Sequence, residues 1–384
     1  MDEEQVVTHP LPDNIFPLLE KMKEFSASDL HLKTGVPPVY RVAGELRRSN
    51  LDPFSADGGE IERLIDPIIP KKRLEEFERR GALDFATTLP NGDRFRVNIM
   101  RSCDHMHAAI RRVRAEIPSF ESLHLPPIYA KLAEQTHEGL VIVCGVTGCG
   151  KSSTLASMID HINTTRHVNI ISIEDPIEYL FQAKQGIVSQ REIGLDVDNF
   201  ADALRSAVRQ DPDLLFIGEM RDKETMLAAL QAAETGHLVF CTLHTADTMQ
   251  SLARILEFFP PDQHTFIRSS LANGLRAILA QRLIPAIDES IQRVPACEVL
   301  LADAIVKEKI REGADNDLPE VISGARDAGM QSFTAALADL VQNEAVYLDT
   351  AMEFAPNREQ LLASVRGIKT SAQTLVHRVK RGGG

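Results

Sequence analysis

The sequence from residue 145 to residue 152 reads Gly145-Val146-Thr147-Gly148-Cys149-Gly150-Lys151-Ser152. It fits the phosphate-loop pattern, G-x-x-x-x-G-K-[S/T], at every fixed position. A continuous apolar run of strand length, 140–144, precedes the loop, and a helical pattern over 151–161 follows it. This order of strand, glycine-rich loop and helix predicts a nucleotide-binding α/β fold. The alternative is a glycine-rich turn that happens to precede a helix.

Each residue type in the loop has a predicted task. Glycines let the backbone curl so that several N–H groups converge on one phosphate, and the helix N-terminus adds favourable partial charge. Lys151 is expected to hold the β- and γ-phosphates of ATP, and the Ser152 hydroxyl to bind Mg²⁺. The other predicted nucleotide contacts lie in the loop or directly after Ser152: Gly145, Thr147, Gly148, Cys149, Gly150 and Ser153.

Strands and helices continue to alternate after the loop. Buried-strand patterns cover 168–173, 214–217 and 238–243, and helical patterns cover 200–210 and 223–235. Such alternation implies a mostly parallel sheet covered by helices. In sheets of this kind the ligand site lies at the carboxyl ends of the strands. We therefore expect the catalytic and ligand-binding residues directly after each strand.

Two carboxylates follow these strands. Glu174 comes directly after the strand at 168–173, and Glu219 follows the strand at 214–217 after one glycine. Hydrolysis of a nucleotide needs an acidic group at such a position, to steady magnesium or to orient water. We predict that Glu219 activates water and that Glu174 supports the metal or that water, so both are candidate metal-site residues. For each, the alternative is a solvated helix-capping carboxylate.

Two histidines flank the strand at 238–243. His244 follows it and His237 precedes it. A histidine at a strand tip beside phosphates can donate to the γ-phosphate or sense its loss. We therefore include His244 among the catalytic candidates and His237 among the nucleotide-binding ones, with a purely structural histidine as the alternative for both.

The length of 384 residues predicts two domains. Residues 26–46 alternate as strand, turn and strand, 95–100 form a further strand pattern, and 61–80 show helical spacing. We predict a small α+β domain at 1–114, a proline-containing linker at 115–127, and an α/β domain with a C-terminal helical region at 128–384.

Composition excludes several classes of protein. A net charge of −13 opposes a broad phosphate-neutralising surface, so nucleic acid is not an expected partner. The longest apolar run is shorter than the roughly 20 residues of a membrane span, and the acidic N-terminus lacks a secretory pattern, which predicts a cytoplasmic protein. Five cysteines without a CxxC pair favour reduced thiols over structural zinc. The basic tail at 366–381 is either a solvated helix or a contact for a membrane or partner.

Four motifs in order resemble the secretion-type ATPase superfamily, most closely its PilT and PilU branch, which disassembles type IV pili. They are GVTGCGKS at 145–152, IEDPIEY at 173–179, DLLFIGEMRD at 213–222 and TGHLVFCTLHT at 235–245. The likeness extends to SDLHL at 28–32, RFRVN at 94–98, QREIG at 190–194 and AQRLIP at 280–285.

The resemblance implies a PAS-like N-terminal domain, a RecA-like ATPase domain and a ring of six subunits with ATP between domains and neighbours. It also implies that N-terminal arginines reach the phosphates, for which Arg96, Arg111 and Arg112 are the matching residues. An arginine fork suits charge on a transferring phosphoryl group, whereas a solvated strand-edge arginine is the alternative. Expected partners are an inner-membrane pilus platform protein, which would hold the chain at the membrane periphery, and a paralogous retraction ATPase.

Two features of the sequence help to decide which branch of this ATPase superfamily the chain resembles. The lack of a tetracysteine zinc module favours retraction over pilus assembly. Retraction ATPases typically carry AIRNL, whereas this chain has Ala304-Ile305-Val306-Lys307-Glu308, so an auxiliary, PilU-like motor stays open. The rival functions are a nucleic-acid translocase, because RecA-like hexamers also move DNA and RNA, and a nucleotide-binding scaffold that regulates another motor.

Overall fold

The computed structural model describes residues 8–42, 44–55, 59–113 and 116–367. It divides the chain into two compact units, Met1–Glu116 and Ile117–Gly384. The boundary falls within the predicted linker, whose limits stay a prediction. Residues 368–384, which include nearly all of the predicted basic tail at 366–381, lie outside the described residues. Within the described ranges, no helix has both the length and the apolar character needed to cross a bilayer.

The first unit contains a six-stranded antiparallel sheet in the order β3-β2-β1-β6-β5-β4. Its strands are β1 (Ala27–Leu32), β2 (Val39–Val42), β3 (Glu45–Arg48), β4 (Ala82–Thr88), β5 (Arg94–Ser102) and β6 (His105–Val113). Its helices are α1 (Phe16–Glu24), α2 (Glu60–Ile65) and α3 (Leu74–Arg80). Along β5, Phe95, Val97 and Ile99 are buried and alternate with more exposed residues. This period of two gives the sheet one apolar face, which packs against the helices.

The prediction of one helix over 61–80 is wrong in its middle. The segment forms α2, two single 3₁₀ turns at 66–68 and 71–73, and then α3. Pro67 and Pro70 lie between the two helices. Because proline lacks the backbone N–H and clashes with the preceding turn, a continuous α-helix cannot pass through both positions.

The second unit contains a seven-stranded sheet in the order β13-β12-β7-β11-β10-β8-β9. Its strands are β7 (Gly139–Cys144), β8 (Asn169–Glu174), β9 (Ile187–Glu192), β10 (Leu214–Ile217), β11 (Leu238–Leu243), β12 (Leu275–Pro285) and β13 (Arg293–Leu301). All neighbours pair in parallel except β12 and β13. The predicted fold class, a mostly parallel α/β sheet preceded by a small α+β unit, is confirmed. Strands β9, β12 and β13 were not predicted.

Helices cover both faces of this sheet. They are α4 (Ile128–Gln135), α5 (Lys151–Thr165), α6 (Phe200–Ala207), α7 (Lys223–Glu234), α8 (Thr248–Glu257), α9 (His264–Gly274), α10 (Ala304–Glu312), α11 (Leu318–Gly324), α12 (Phe333–Gln342), α13 (Leu348–Phe354) and α14 (Arg358–Val365). Along β7, Leu140 and Ile142 belong to one core, whereas Val141 and Val143 belong to the core beneath α4 and α5. Burial on both faces explains why the central strands read as continuous apolar runs.

Candidate nucleotide-binding site

The site lies where four parallel strands end. Strands β7, β11, β10 and β8 are consecutive neighbours in the sheet, so the residues that follow them share one edge. The phosphate loop follows β7, Glu174 ends β8, Glu219 comes two residues after β10, and His244 follows β11. The sheet order thus places Glu174, Glu219 and His244 at the same edge as Lys151, as the sequence predicted.

The phosphate loop uses backbone conformations that favour glycine. The φ angles of Gly145, Gly148 and Gly150 are 150°, 79° and 92°. At Gly145 the space is closed as well, because a Cβ there would lie 2.6 Å from the backbone oxygen of Gln281 and 2.4 Å from the sulfur of Cys149. Gly145 therefore allows the loop to pass closely beside β12.

Lys151 curls back over the loop from the first position of α5. Its Nζ donates to the backbone oxygens of Gly145 at 2.8 Å and Val146 at 3.3 Å, and the residue is 8% exposed. Ser152 is half-buried in the first turn of the same helix. The amine and the first N–H groups of α5 make this end of the helix a place for an anion.

The remaining loop residues differ in exposure. Thr147 and Gly148 are exposed, whereas Cys149 is buried and its burial raises the pKa of its thiol. Ser153 lies in the first turn of α5, and its hydroxyl is 2.7 Å from the hydroxyl of Tyr179. That contact joins the phosphate-loop helix to the IEDPIEY segment, a connection that the sequence motifs did not reveal.

Glu219 belongs to a chain of polar groups across three strand ends. Its Oε2 accepts a hydrogen bond from Arg221 Nη2 at 2.7 Å, and Arg221 Nη1 donates to Asp175 Oδ2 at 3.2 Å. Its Oε1 lies 3.4 Å from His244 Nε2. The hydrogen bond to Glu219 raises the pKa of Arg221. Burial, with a contribution from the nearby Lys151 cation, lowers the pKa of His244.

Glu174 sits deeper than Glu219. Its Oε1 accepts hydrogen bonds from Ser172 Oγ at 2.6 Å and Gln190 Nε2 at 3.1 Å, and the residue is 4% exposed. Burial raises its pKa to about 7, with the two hydrogen bonds acting in the opposite direction. Both protonation states of this carboxyl are therefore accessible near neutral pH. Gln190 also donates to the backbone oxygen of Tyr179 at 2.8 Å, which fixes the IEDPIEY segment over β9.

His237 does not join the site. It precedes β11, so the six residues of that strand, at about 3.3 Å each, separate it by roughly 20 Å from the edge where the phosphate loop lies. Its Nδ1 lies 3.0 Å from the backbone oxygen of Ala232 and 3.2 Å from Thr235 Oγ1, at the end of α7. His237 thus stands at the opposite edge of the sheet from the phosphate loop of its own chain, and its contact with a nucleotide stays a prediction.

The predicted arginines lie in the first unit. Arg96 and Arg111 are directly opposite each other on β5 and β6, on the exposed face of the sheet. Arg111 Nε donates to Asp29 Oδ1 at 2.8 Å, and Arg112 Nη2 pairs with Asp93 Oδ1 at 3.3 Å. Because Arg112 neighbours Arg111 along the strand, its side chain leaves the opposite face. Their action on a nucleotide stays a prediction.

Sequence reasoning missed Gln281 as a site residue. This glutamine on β12 is 1% exposed and donates from Nε2 to the backbone oxygen of Cys149 at 2.6 Å. Its Oε1 accepts a hydrogen bond from Thr154 Oγ1 at 3.0 Å. The AQRLIP motif was the available signal, but β12 had not been predicted and nothing local placed it beside the loop.

Protein side chains alone do not form a metal cage here. Within the described part of the chain, no group of three or more His, Cys, Asp or Glu residues is arranged to hold a metal ion. The Ser152 hydroxyl and the Glu219 carboxylate offer hard oxygen donors beside an anion-binding loop. That donor set fits Mg²⁺, which usually binds through few protein oxygens together with substrate phosphates and water.

Comparisons with known proteins agree with this site. The family model described as Type II/IV secretion system protein matches residues 4–360. The chain is 37% identical to the type IV pilus retractation ATPase PilT of Pseudomonas aeruginosa, over 88% of this chain and 97% of that protein. It is 40% identical to the type IV pilus ATPase PilU of the same organism, over 86% of each.

A solved structure is similar over nearly its whole length. The crystal structure of the pilus retraction motor PilT with bound ADP superposes with a TM-score of 0.83 at 40% identity, covering 90% of this chain and 98% of that one. The Legionella pneumophila ATPase DotB superposes with a TM-score of 0.76 at 28% identity, covering 94% of this chain and all of that one. The chain therefore belongs to the Type II/IV secretion system protein family, the family of secretion and pilus ATPases.

Proposed function

We propose that this protein is an ATP-hydrolysing motor that powers the retraction of type IV pili. The observation that carries the proposal is the position of a phosphate loop, with its buried Lys151, at the same sheet edge as Glu219. A binding site for ATP and a group able to activate water thus share one edge of the sheet. The chain is 37% identical in sequence to PilT and 40% identical to PilU over most of its length. This similarity supports pilus retraction as the process that ATP hydrolysis drives.

In this mechanism the loop binds the phosphates of ATP. Lys151 Nζ now donates to two carbonyl oxygens of the loop, at Gly145 and Val146. Phosphate oxygens carry more negative charge than carbonyl oxygens, so the ammonium group exchanges one set of acceptors for the other when ATP arrives. Ser152 would hold Mg²⁺, which offsets phosphate charge when it is bound.

Glu219 then acts on the attacking water. Arg221 donates to Glu219 Oε2 and holds the carboxylate beyond the end of β10, where His244 Nε2 lies 3.4 Å from Glu219 Oε1. A positioned carboxylate accepts the proton of water as the water attacks the γ-phosphate. Glu174, with its pKa of about 7, lies deeper at the neighbouring strand end, where it orients the site and can take up or release a proton.

We further propose that six copies assemble into a ring at the cytoplasmic side of the inner membrane, against a pilus platform protein. Closing and opening of subunits around ATP would convert phosphate contacts into rigid-body motion. Arg96 and Arg111 share an exposed sheet face, which leaves them open to a bound nucleotide in this assembly. Arg111 and Arg112 are paired with the buried carboxylates Asp29 and Asp93, and each would exchange that partner for a phosphate.

An auxiliary motor is the second candidate function, because the AIRNL position differs. Residues 304–308 form the start of α10, which Asp303 caps through a 2.8 Å hydrogen bond from the N–H of Val306. Ile305 is 54% exposed there, and Lys307 and Glu308 replace the expected Asn and Leu. The similarity to PilU, at 40% identity, also favours a motor that assists another one.

Twitching motility in cells tests the proposal. Cells that carry only Glu219→Gln should extend pili and fail to retract them, since the loop still binds ATP while hydrolysis stops. Cells that lack the chain but keep a paralogous motor separate the two candidates. Residual retraction that the wild-type chain increases supports the auxiliary role, and retraction that depends wholly on this chain supports the independent one. Normal retraction in Glu219→Gln cells would refute both.

A further inference from the structure

We infer that Gln281 is a positioning residue that orients the phosphate loop for nucleotide binding. The inference rests on the proposed ATP binding and adds a residue from β12, a strand that carries none of the four motifs. Gln281 is buried, and both ends of its side-chain amide are used at the loop. It acts through the backbone of the loop and does not itself touch the phosphates.

The geometry of the peptide bond explains the effect. Gln281 Nε2 donates to the carbonyl oxygen of Cys149 at 2.6 Å. In a planar trans peptide the carbonyl oxygen and the N–H of the next residue point in opposite directions. Fixing the Cys149 oxygen toward β12 therefore fixes the Gly150 N–H away from β12, on the side where loop N–H groups meet a phosphate.

Thr154 holds the other end of the amide. Thr154 lies in the first turn of α5 and is 1% exposed. Its hydroxyl donates a 3.0 Å hydrogen bond to Gln281 Oε1. The carbonyl oxygen of Cys149 can only accept, so it requires the NH₂ group of Gln281 on its side, and the Thr154 hydroxyl then donates to Oε1. Gln281 thus joins β12, the loop and α5 through one side chain.

The side chain at position 281 needs both a donor and an acceptor. Glutamate would offer acceptors to both the Cys149 oxygen and the Thr154 hydroxyl, and an apolar side chain would leave both without a partner. Gly150 is matched to this arrangement, since a Cβ on it would lie 3.0 Å from Gln281 Nε2. The loop and the glutamine are fitted to each other at close range.

The test measures the affinity for Mg·ADP together with the free energy of unfolding without nucleotide. Gln281→Met keeps the apolar volume and removes both hydrogen bonds, and we expect its affinity for ADP to fall by about 10-fold or more. Thr154→Val removes one contact and should weaken ADP binding by about 3-fold or more, while Thr154→Ser, which keeps the hydroxyl, should recover most of that loss.

Asn163→Leu provides a matched control for a lost buried amide. Asn163 is buried and its Nδ2 donates to the backbone oxygen of Gln182 at 2.7 Å, but it lies twelve residues along α5 from Lys151, about 18 Å away. The Asn163→Leu substitution should lower the free energy of unfolding and leave the affinity for ADP unchanged. A loss of affinity in Asn163→Leu as large as in Gln281→Met would show that the effect is general destabilisation and would overturn the inference.

Two further outcomes are decisive. If Gln281→Met and Thr154→Val bind ADP within about twofold of wild type, the positioning role is refuted while the proposed function stands. If Gln281→Met does not fold, the comparison of Thr154→Val with Thr154→Ser decides by the same criterion. If the wild-type protein itself does not bind Mg·ADP, the proposed function fails, and the positioning role fails with it.

Discussion

The buried Glu174 carboxyl should make the stability of the protein depend on pH in a direction opposite to that of most carboxylates. Burial raises its pKa to about 7, from 4.5 in an unstructured chain. Between these values the folded protein keeps a proton that the unfolded chain has lost. The folded state binds more protons in that range, so the free energy of unfolding falls as pH rises from 4.5 to 7 and this contribution is constant above 7.

The size of the effect follows from the difference between the two pKa values. At 1.36 kcal/mol for each pH unit between them, the ionised Glu174 costs the fold on the order of 3 kcal/mol at pH 8. Glu174→Gln has no such titration. We therefore expect the free energy of unfolding of Glu174→Gln minus that of wild type to rise by on the order of 3 kcal/mol between pH 5 and pH 8.

Urea denaturation without nucleotide provides the assay. Circular dichroism is the suitable probe because the chain has no tryptophan. Ser172→Ala is the companion variant. The Ser172 hydroxyl stabilises the ionised form of Glu174, so its removal should extend the decline in stability to higher pH and make the total decline larger than in wild type. A difference between Glu174→Gln and wild type that stays within about 0.5 kcal/mol from pH 5 to pH 8, or that falls with pH, would refute the reasoning.

Three more variants probe the loop and the strand-end network. Gly145→Ala should destabilise the second unit by more than about 2 kcal/mol in urea denaturation, because its Cβ would meet the Gln281 backbone oxygen at 2.6 Å. Gly148→Ala, which meets nothing within 4 Å, should cost only the strain of its positive φ, about 1–2 kcal/mol, and equal losses would contradict the packing explanation. Arg221→Leu should lower kcat by about 10-fold with little change in stability, since Arg221 is exposed but holds Glu219, and an unchanged kcat would remove Arg221 from the site.

The sequence predicted the central strands and the phosphate loop because their signals are local. Residues 140–144 are apolar and all buried, and the loop glycines adopt the positive φ angles that their pattern implies. The carboxylates Glu174 and Glu219 were found in the same way, as the residues that end neighbouring parallel strands. Each of these inferences needs only a short window of sequence and the rule that parallel strands end at one edge.

Contacts between distant segments were beyond such reasoning. Gln281 and Cys149 are 132 residues apart, and their hydrogen bond exists because β12 pairs with β7. The partnership of Arg221 with Asp175 likewise depends on β10 lying beside β8. No local periodicity encodes strand order, so these partners emerge only from the folded sheet.

The one helix predicted over 61–80 was an error in the use of a local signal. Helical spacing over 61–80 outweighed Pro67 and Pro70, although two prolines in the interior of a helix are incompatible with it. His237 and His244 flank the same strand, so they lie at opposite edges of the sheet, and only His244 shares an edge with the phosphate loop of its own chain.

The central claim is that an assembled motor hydrolyses ATP with Glu219 as the group that activates water. The steady-state rate of ATP hydrolysis tests this claim most directly. The wild-type protein and Glu219→Gln should be compared for ATPase activity and ATP affinity, with the mass of the assembly measured in the same samples by light scattering. We predict that wild type turns over ATP as a hexamer, and that Glu219→Gln binds ATP with similar affinity while kcat falls by about 100-fold or more. Turnover by Glu219→Gln within a few-fold of wild type, or no turnover by a wild-type hexamer that binds ATP, would contradict the claim.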